Sequence, residues 1–203
     1  MLAVIGGKGG TGKTTTALGI AVTASSRRRD PVVVETDVDM PNLHIRAGVD
    51  DDGIDRLASG RSLEDASSVS STYPGVDVIG ARPGAALVPA LRAIVTDRPV
   101  VLDGPAGAAE RAVTPIRFAD AAVVVTRDTP ASITDTEKTL RMSRAVGTPV
   151  IAAIVSRATD VSGRIADVLD VGEIVAIPEV DDPVTGAVAR VGYSKIIETW
   201  ANA

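Results

Sequence analysis

Short apolar runs recur along the chain with longer mixed stretches between them. They are Leu2 to Ile5, Val32 to Val34, Val76 to Ile79, Val100 to Leu102, Ala121 to Val125, Val150 to Val155 and Ile174 to Ile177. Each has the length of a strand and is continuously apolar, the pattern of strands covered on both faces. The intervening segments, beginning with Thr16 to Ala24, read as helices. The alternation predicts an α/β domain with a central, mostly parallel sheet flanked by helices on both faces. No internal repeat or dividing linker interrupts it, so residues 1–203 are read as one domain. Ser67 to Thr72, small and polar, and Asp50 to Asp52, acidic, are expected to be surface loops.

The first strand runs into Gly6-Gly7-Lys8-Gly9-Gly10-Thr11-Gly12-Lys13-Thr14-Thr15. Gly7, four residues, then Gly12-Lys13-Thr14 satisfies the Walker A pattern in its required setting of strand, turn and helix. Chance places that pattern about 0.005 times in a chain of this composition, so the match is not accidental. Backbone N–H groups that turn inward around phosphate oxygens need a close approach that side chains obstruct, hence Gly9, Gly10 and Gly12. A helix starting near Lys13 points its free N–H groups and positive dipole end at the same anion. Lys13 is expected to supply a mobile charge for the outer phosphates, and the Thr14 hydroxyl can ligate magnesium.

Acidic residues follow two other strands. Glu35, Asp37 and Asp39 leave the second, where an open α/β sheet binds ligands, and are candidates for positioning water and magnesium, with Asp39 the most easily read as loop solvation. Asp103 follows the buried run Val100 to Leu102, as a Walker B carboxylate does when it supports magnesium. Pro105 and Gly107 then predict a stiff turn with one free backbone N–H able to sense a γ-phosphate.

Composition narrows the field. A net charge of -5 leaves no room for a large basic face and argues against broad attraction to nucleic acid or anionic lipid. Without cysteine there is no disulfide, thiolate metal site or iron–sulfur ligation. The chain opens on a core strand, with neither a leader pattern nor an apolar run long enough to span a bilayer, so a soluble cytoplasmic protein is expected. Only four lysines occur, and two of them, Lys8 and Lys13, lie in the glycine loop.

Lys8 to Thr15 resembles the deviant Walker A motif of the MinD/ParA family, in which an extra lysine stands at the position of Lys8. Val33 to Asp37 with Asn42-Leu43 resembles the family's switch I, and Leu102 to Gly107 its switch II. Ala119 to Thr126, the helix start at Pro130 to Asp135, Gly147 to Val150 and Ala176 to Glu179 follow in the family's order. Asp52 to Gly60, Ser62 to Ala66 and Gly75 to Ile79 bring the likeness nearest to MinD-like members.

The resemblance implies a P-loop ATPase using ATP and Mg²⁺, in which two subunits sandwich two nucleotides and form a homodimer on ATP binding. The lysine at Lys8 reaches the partner's phosphates, Asp37 orients the attacking water and contributes near the metal with Thr14 and Asp103, and Gly107 senses the γ-phosphate. The base lies beside Ser156, Arg157 and Pro178. A protein activator or cargo is implied, and slow hydrolysis makes the cycle a timer that positions a cellular structure.

The chain departs from the pattern in places. Glu35 stands where many relatives have aspartate, a change expected to alter the magnesium shell or the hydrolysis rate. Ser156 stands where relatives read adenine with asparagine, and it makes fewer hydrogen bonds. The end from Tyr193 to Ala203 is not the basic amphipathic helix of membrane-cycling relatives; Ile196, Ile197 and Trp200 predict a helix packed on the body. His44, the sole histidine, is expected in surface or helix packing. Two alternatives stay open, an ATP-dependent metabolic enzyme of the cobyrinate or dethiobiotin synthase type and a ParA-like DNA partitioning ATPase. For the latter, Arg27 to Arg29 with Arg141 and Arg144 are the only local basic clusters.

Overall fold

The expected strands assemble side by side in the computed structural model, which describes residues 1–107 and 110–203. Among these residues the strands are β1 (Leu2–Ile5), β2 (Val32–Glu35), β3 (Ser68–Val69), β4 (Asp77–Ile79), β5 (Val100–Asp103), β6 (Ala121–Thr126), β7 (Val150–Ser156) and β8 (Glu173–Ile177). Their order across the sheet is β3-β4-β2-β5-β1-β6-β7-β8. All neighbours pair in parallel except β3, which runs antiparallel at the edge with Ser68 opposite Val78. That short edge strand lies inside Ser67 to Thr72, which the sequence reads as a loop. Two polar-flanked residues carry no periodicity, and it is the exposed edge of β4 that recruits them.

Because successive strand residues face opposite ways, each apolar run feeds two cores. Leu2, Val4, Val33, Val101 and Val123 pack with the helices α1 (Lys13–Ser26), α2 (Leu43–Ala47) and α9 (Ala187–Ala201). Ala3, Ile5, Val32, Val34 and Val124 pack on the other face. They are covered there by α3 (Gly53–Ala58), α4 (Leu63–Ala66), α5 (Leu87–Ala93), α6 (Glu110–Phe118), α7 (Pro130–Val146) and α8 (Gly163–Val168). Both faces are covered, as the continuous apolar runs require.

One close approach fixes the nucleotide helix. A Cβ on Gly19 would lie 2.0 Å from the Tyr193 ring, so glycine lets α9 press directly on α1. Ile196 and Ile197 are buried in the same contact and Trp200 packs at its margin, so the terminal helix docks on the body as its apolar face predicts.

The topology also gathers chemistry at one edge. The carboxyl ends of β2, β5 and β1 are neighbours, and so are those of β6, β7 and β8. From β1 the chain crosses outward past β5 to β2, whereas β5 leads through α6 to β6 on the opposite side of β1. A crevice forms where the direction of winding reverses.

Candidate functional site

The loop between β1 and α1 is bent by glycines. Gly10 and Gly12 have φ of 76° and 100°, left-handed values that a Cβ disfavours. The Gly12 carbonyl accepts the first helical bond of α1, from the Thr16 N–H at 2.8 Å. Inside the curve, the Lys8 carbonyl accepts from the Thr11 hydroxyl at 3.3 Å and from Lys13 Nζ at 3.2 Å. Lys13 is therefore folded over its own loop and only 8% exposed, whereas Lys8 is exposed. Burial lowers the Lys13 pKa, while the nearby Asp103 and Asp37 carboxylates oppose the shift.

Asp103 ends β5 and is 3% exposed, and its Oδ1 has no partner among the described residues. Burial pushes its pKa up to about 7; the neighbouring Thr14 hydroxyl and the charge of Lys13 oppose the rise, and Glu35 and Asp37 add to it. A buried, unpartnered carboxylate oxygen calls for an explanation. That oxygen and the Thr14 hydroxyl would together supply an all-oxygen donor set suited to a hard cation such as Mg²⁺. Asp37 is half-buried; its Oδ1 accepts from the N–H groups of Asp39 at 3.3 Å and Met40 at 3.2 Å, which fixes the carboxylate. Asp37, Lys13, Thr14, Gly9 and Asp103 line one cavity of about 370 Å³.

Glu35 belongs elsewhere. It is 1% exposed, and its Oε1 accepts from the N–H groups of Asn42 and Leu43, the latter at 2.6 Å. Its Oε2 accepts from the N–H groups of Ala81 at 3.0 Å and His44 at 3.4 Å, with His44 Nδ1 at 2.9 Å. The expected role in water or magnesium positioning is thus corrected, because the carboxylate is saturated by the start of α2 and by the Ala81 N–H. The added methylene, relative to aspartate, matches a task of reaching backbone amides across the loop. His44, expected in packing, also closes this carboxylate from solvent as its side-chain partner.

Two further expectations change. The Gly107 N–H is not free: it donates to the Gly6 carbonyl at 3.3 Å, tying the turn after β5 to the glycine loop. Ser156 does not offer its hydroxyl proton to a base, because Oγ lies 2.7 Å from the Thr11 carbonyl and 3.1 Å from that of Thr126. It staples the glycine loop to the ends of β6 and β7.

Beyond that staple a second cavity of about 200 Å³ is lined by Ile154, Ile177, Pro178, Pro183 and Tyr193 together with Ser156. The Tyr193 hydroxyl donates to the Pro183 carbonyl at 2.8 Å, and burial pushes its pKa up. Arg157 takes a left-handed φ of 56°, and its Nε lies 3.6 Å from a Glu179 oxygen. Gly10, Gly12, Thr15, Arg46 and Arg157 line both cavities, so the two form one groove. Thr11 lies on the apolar side and Gly9 on the charged side. Arg46 carried no signal in the sequence. It reaches the groove only because α2 folds back toward α1.

One end of this groove offers helix N–H groups, a buried lysine and carboxylates, and the other offers an apolar slot. That polarity matches a nucleoside with a chain of phosphates. Residues 2–171 match the model of the CobQ/CobB/MinD/ParA nucleotide binding domain. The chain is 27% identical over 217 residues to an uncharacterized ATP-binding protein of Methanocaldococcus jannaschii, covering 97% of this chain and 80% of the relative. Among solved structures, the septum site-determining protein MinD of Pyrococcus horikoshii, complexed with Mg-ADP, superposes with a TM-score of 0.82 at 25% identity, covering 98% of this chain and 96% of that one. The cell division ATPase MinD of Pyrococcus furiosus gives a TM-score of 0.81 at 25% identity, covering 99% and 98%.

Proposed function

Because the chain belongs to the CobQ/CobB/MinD/ParA nucleotide-binding family, we propose that it is a Mg-ATP-dependent dimerisation switch, MinD-like, whose slow hydrolysis regulates the position of a cellular structure from the cytoplasm. It is a P-loop ATPase, and the geometry supports the following division of its reaction among named groups. The N-terminus of α1 and the Lys13 ammonium bind the outer phosphates and draw negative charge toward the bridging oxygens. Asp37, fixed by the Asp39 and Met40 N–H groups, accepts a hydrogen bond from water and aligns it for attack. Thr14 and Asp103 would hold magnesium, directly and through water, and the ion would neutralise charge on the phosphates.

The observation that carries the switch is the division between the two loop lysines. Lys13 is buried and bound to its own loop, while Lys8 is exposed. A charge held outside its own phosphate site is available to a second copy, and a lysine supplied in trans links dimerisation to ATP occupancy. Removal of the γ-phosphate weakens that link and releases the subunits. In sedimentation with Mg-ATP, Lys8→Ala is expected to remain monomeric and lose most hydrolysis. A variant that dimerises and hydrolyses like the wild type contradicts the reading.

A second reading has its own supporting observation. A cavity of about 180 Å³, lined by Asp37, Leu87, Val88 and Arg111, adjoins the charged end of the groove. A carboxylate substrate activated by ATP would lie there, as in an enzyme of the cobyrinate synthase type, after displacing the Arg111–Asp39 ion pair. Phosphate release that depends on an added carboxylic acid supports this alternative; release indifferent to it favours the switch.

A further inference from the structure

Arg46 lies on the short helix that leaves the Asp37 segment, with its guanidinium over the first turn of α1. Its Nη1 donates to Thr15 Oγ1 at 2.8 Å. The position is held from both sides. Glu35 accepts the N–H groups of Leu43 and His44 at the start of α2, and Gly48, with φ of 65°, ends the helix two residues after Arg46.

Arg46 lines the charged cavity and the apolar cavity alike, as does Thr15, which its guanidinium holds. The other arginine lining both, Arg157, faces the Glu179 carboxylate at 3.6 Å. Arg46 instead touches a hydroxyl, leaving its charge uncompensated by that contact. In accepting from Arg46, Thr15 keeps its own hydroxyl proton available to donate into the groove.

We propose that Arg46 is a nucleotide-binding residue that pairs with the phosphate nearest the sugar. The outer phosphates belong at the Lys13, Thr14 and Asp103 end and the base belongs in the apolar slot, so the stretch where the two cavities share residues receives the sugar and its first phosphate. A guanidinium presents several N–H donors in a planar fork, so it can hold Thr15 with one nitrogen and a phosphate oxygen with the other. The contact reaches a phosphate that hydrolysis leaves in place, and it ties α2 to ADP as well as to ATP. It acts within one subunit, so it stands or falls separately from the dimerisation reading.

Calorimetric titration of Mg-ADP into Arg46→Ala and Arg46→Gln tests it, because glutamine keeps an N–H donor for Thr15 but removes the charge. Both variants are expected to raise the Kd about tenfold, the scale of one charge-assisted hydrogen bond. The difference from wild type is expected to narrow with rising salt. Wild-type affinity in both variants, or a loss in Arg46→Ala that Arg46→Gln restores, overturns the proposal, since either result leaves Arg46 only a tie between α2 and α1. Loss of ATP-driven dimerisation alone leaves it standing.

Discussion

The two ends of the groove are built by different means. The end proposed for phosphates is made mainly by one continuous segment, Gly6 to Thr15, which offers backbone N–H groups and a helix N-terminus, joined by single acids at the adjacent carboxyl ends of β2 and β5. The base end is assembled from the tips of β7 and β8 and from Tyr193 on α9, which are far apart in the chain. Its one hydroxyl on β7 is engaged by the Thr11 and Thr126 carbonyls. Charge and amide geometry therefore dominate one end, and shape and apolar contact the other. On the proposed reading, phosphates are held by charge and amides while the base pocket is tuned by packing.

Substitutions at each end sharpen this contrast. The largest effect is expected at Lys13. Lys13→Ala removes the buried ammonium beside Asp103 and Asp37, and phosphate release is expected to fall roughly 100- to 1,000-fold. A loss of only a fewfold would mean that the glycine loop suffices without it.

Asp103 gives a pH signature next. Its folded pKa, about 7, lies above its ordinary value of 3.8, so the folded chain keeps a proton that the unfolded chain releases. Its contribution to stability is full below 3.8 and is lost as pH rises through about 7. Without nucleotide or magnesium, Asp103→Asn is expected to melt above the wild type at pH 8, with the gap closing toward pH 4. An equal gap at both pH values would show that burial does not hold the proton on Asp103.

The smallest effect is expected at the base end. Ser156→Ala leaves the buried Thr11 carbonyl without its donor and loosens the staple. A cost of about 1 kcal/mol, roughly a fivefold loss in Mg-ADP affinity, is expected by calorimetry. If Ser156→Ala instead lowered phosphate release as much as Lys13→Ala, the two ends would be one cooperative unit and the contrast would fail.

The same division explains what the sequence reveals. Phosphate binding is local, so Gly7 to Thr14 and the apolar strand before Asp103 are legible as motifs, and continuous apolar runs announce a sheet covered on both faces. Long-range contacts are not legible. Glu35 reads as a switch acid until the fold brings Leu43, His44 and Ala81 around it, and Ser156 reads as a base contact until Thr11 is found 2.7 Å away. The Gly107 N–H likewise meets the Gly6 carbonyl only through the pairing of β5 with β1. Arg46 has no motif at all, because its place depends on where α2 lands. The residue patterns thus specify the chemistry of the phosphate end, and tertiary packing decides which polar groups remain available to a ligand.

The central claim is that ATP occupancy joins two copies and hydrolysis parts them. Sedimentation of the wild type and Asp37→Ala with Mg-ADP and with Mg-ATP tests it most directly. The switch predicts monomers with Mg-ADP for both, a dimer that decays as ATP is consumed for the wild type, and a persistent dimer with Mg-ATP for Asp37→Ala. Asp37→Ala that binds Mg-ATP yet stays monomeric would contradict it.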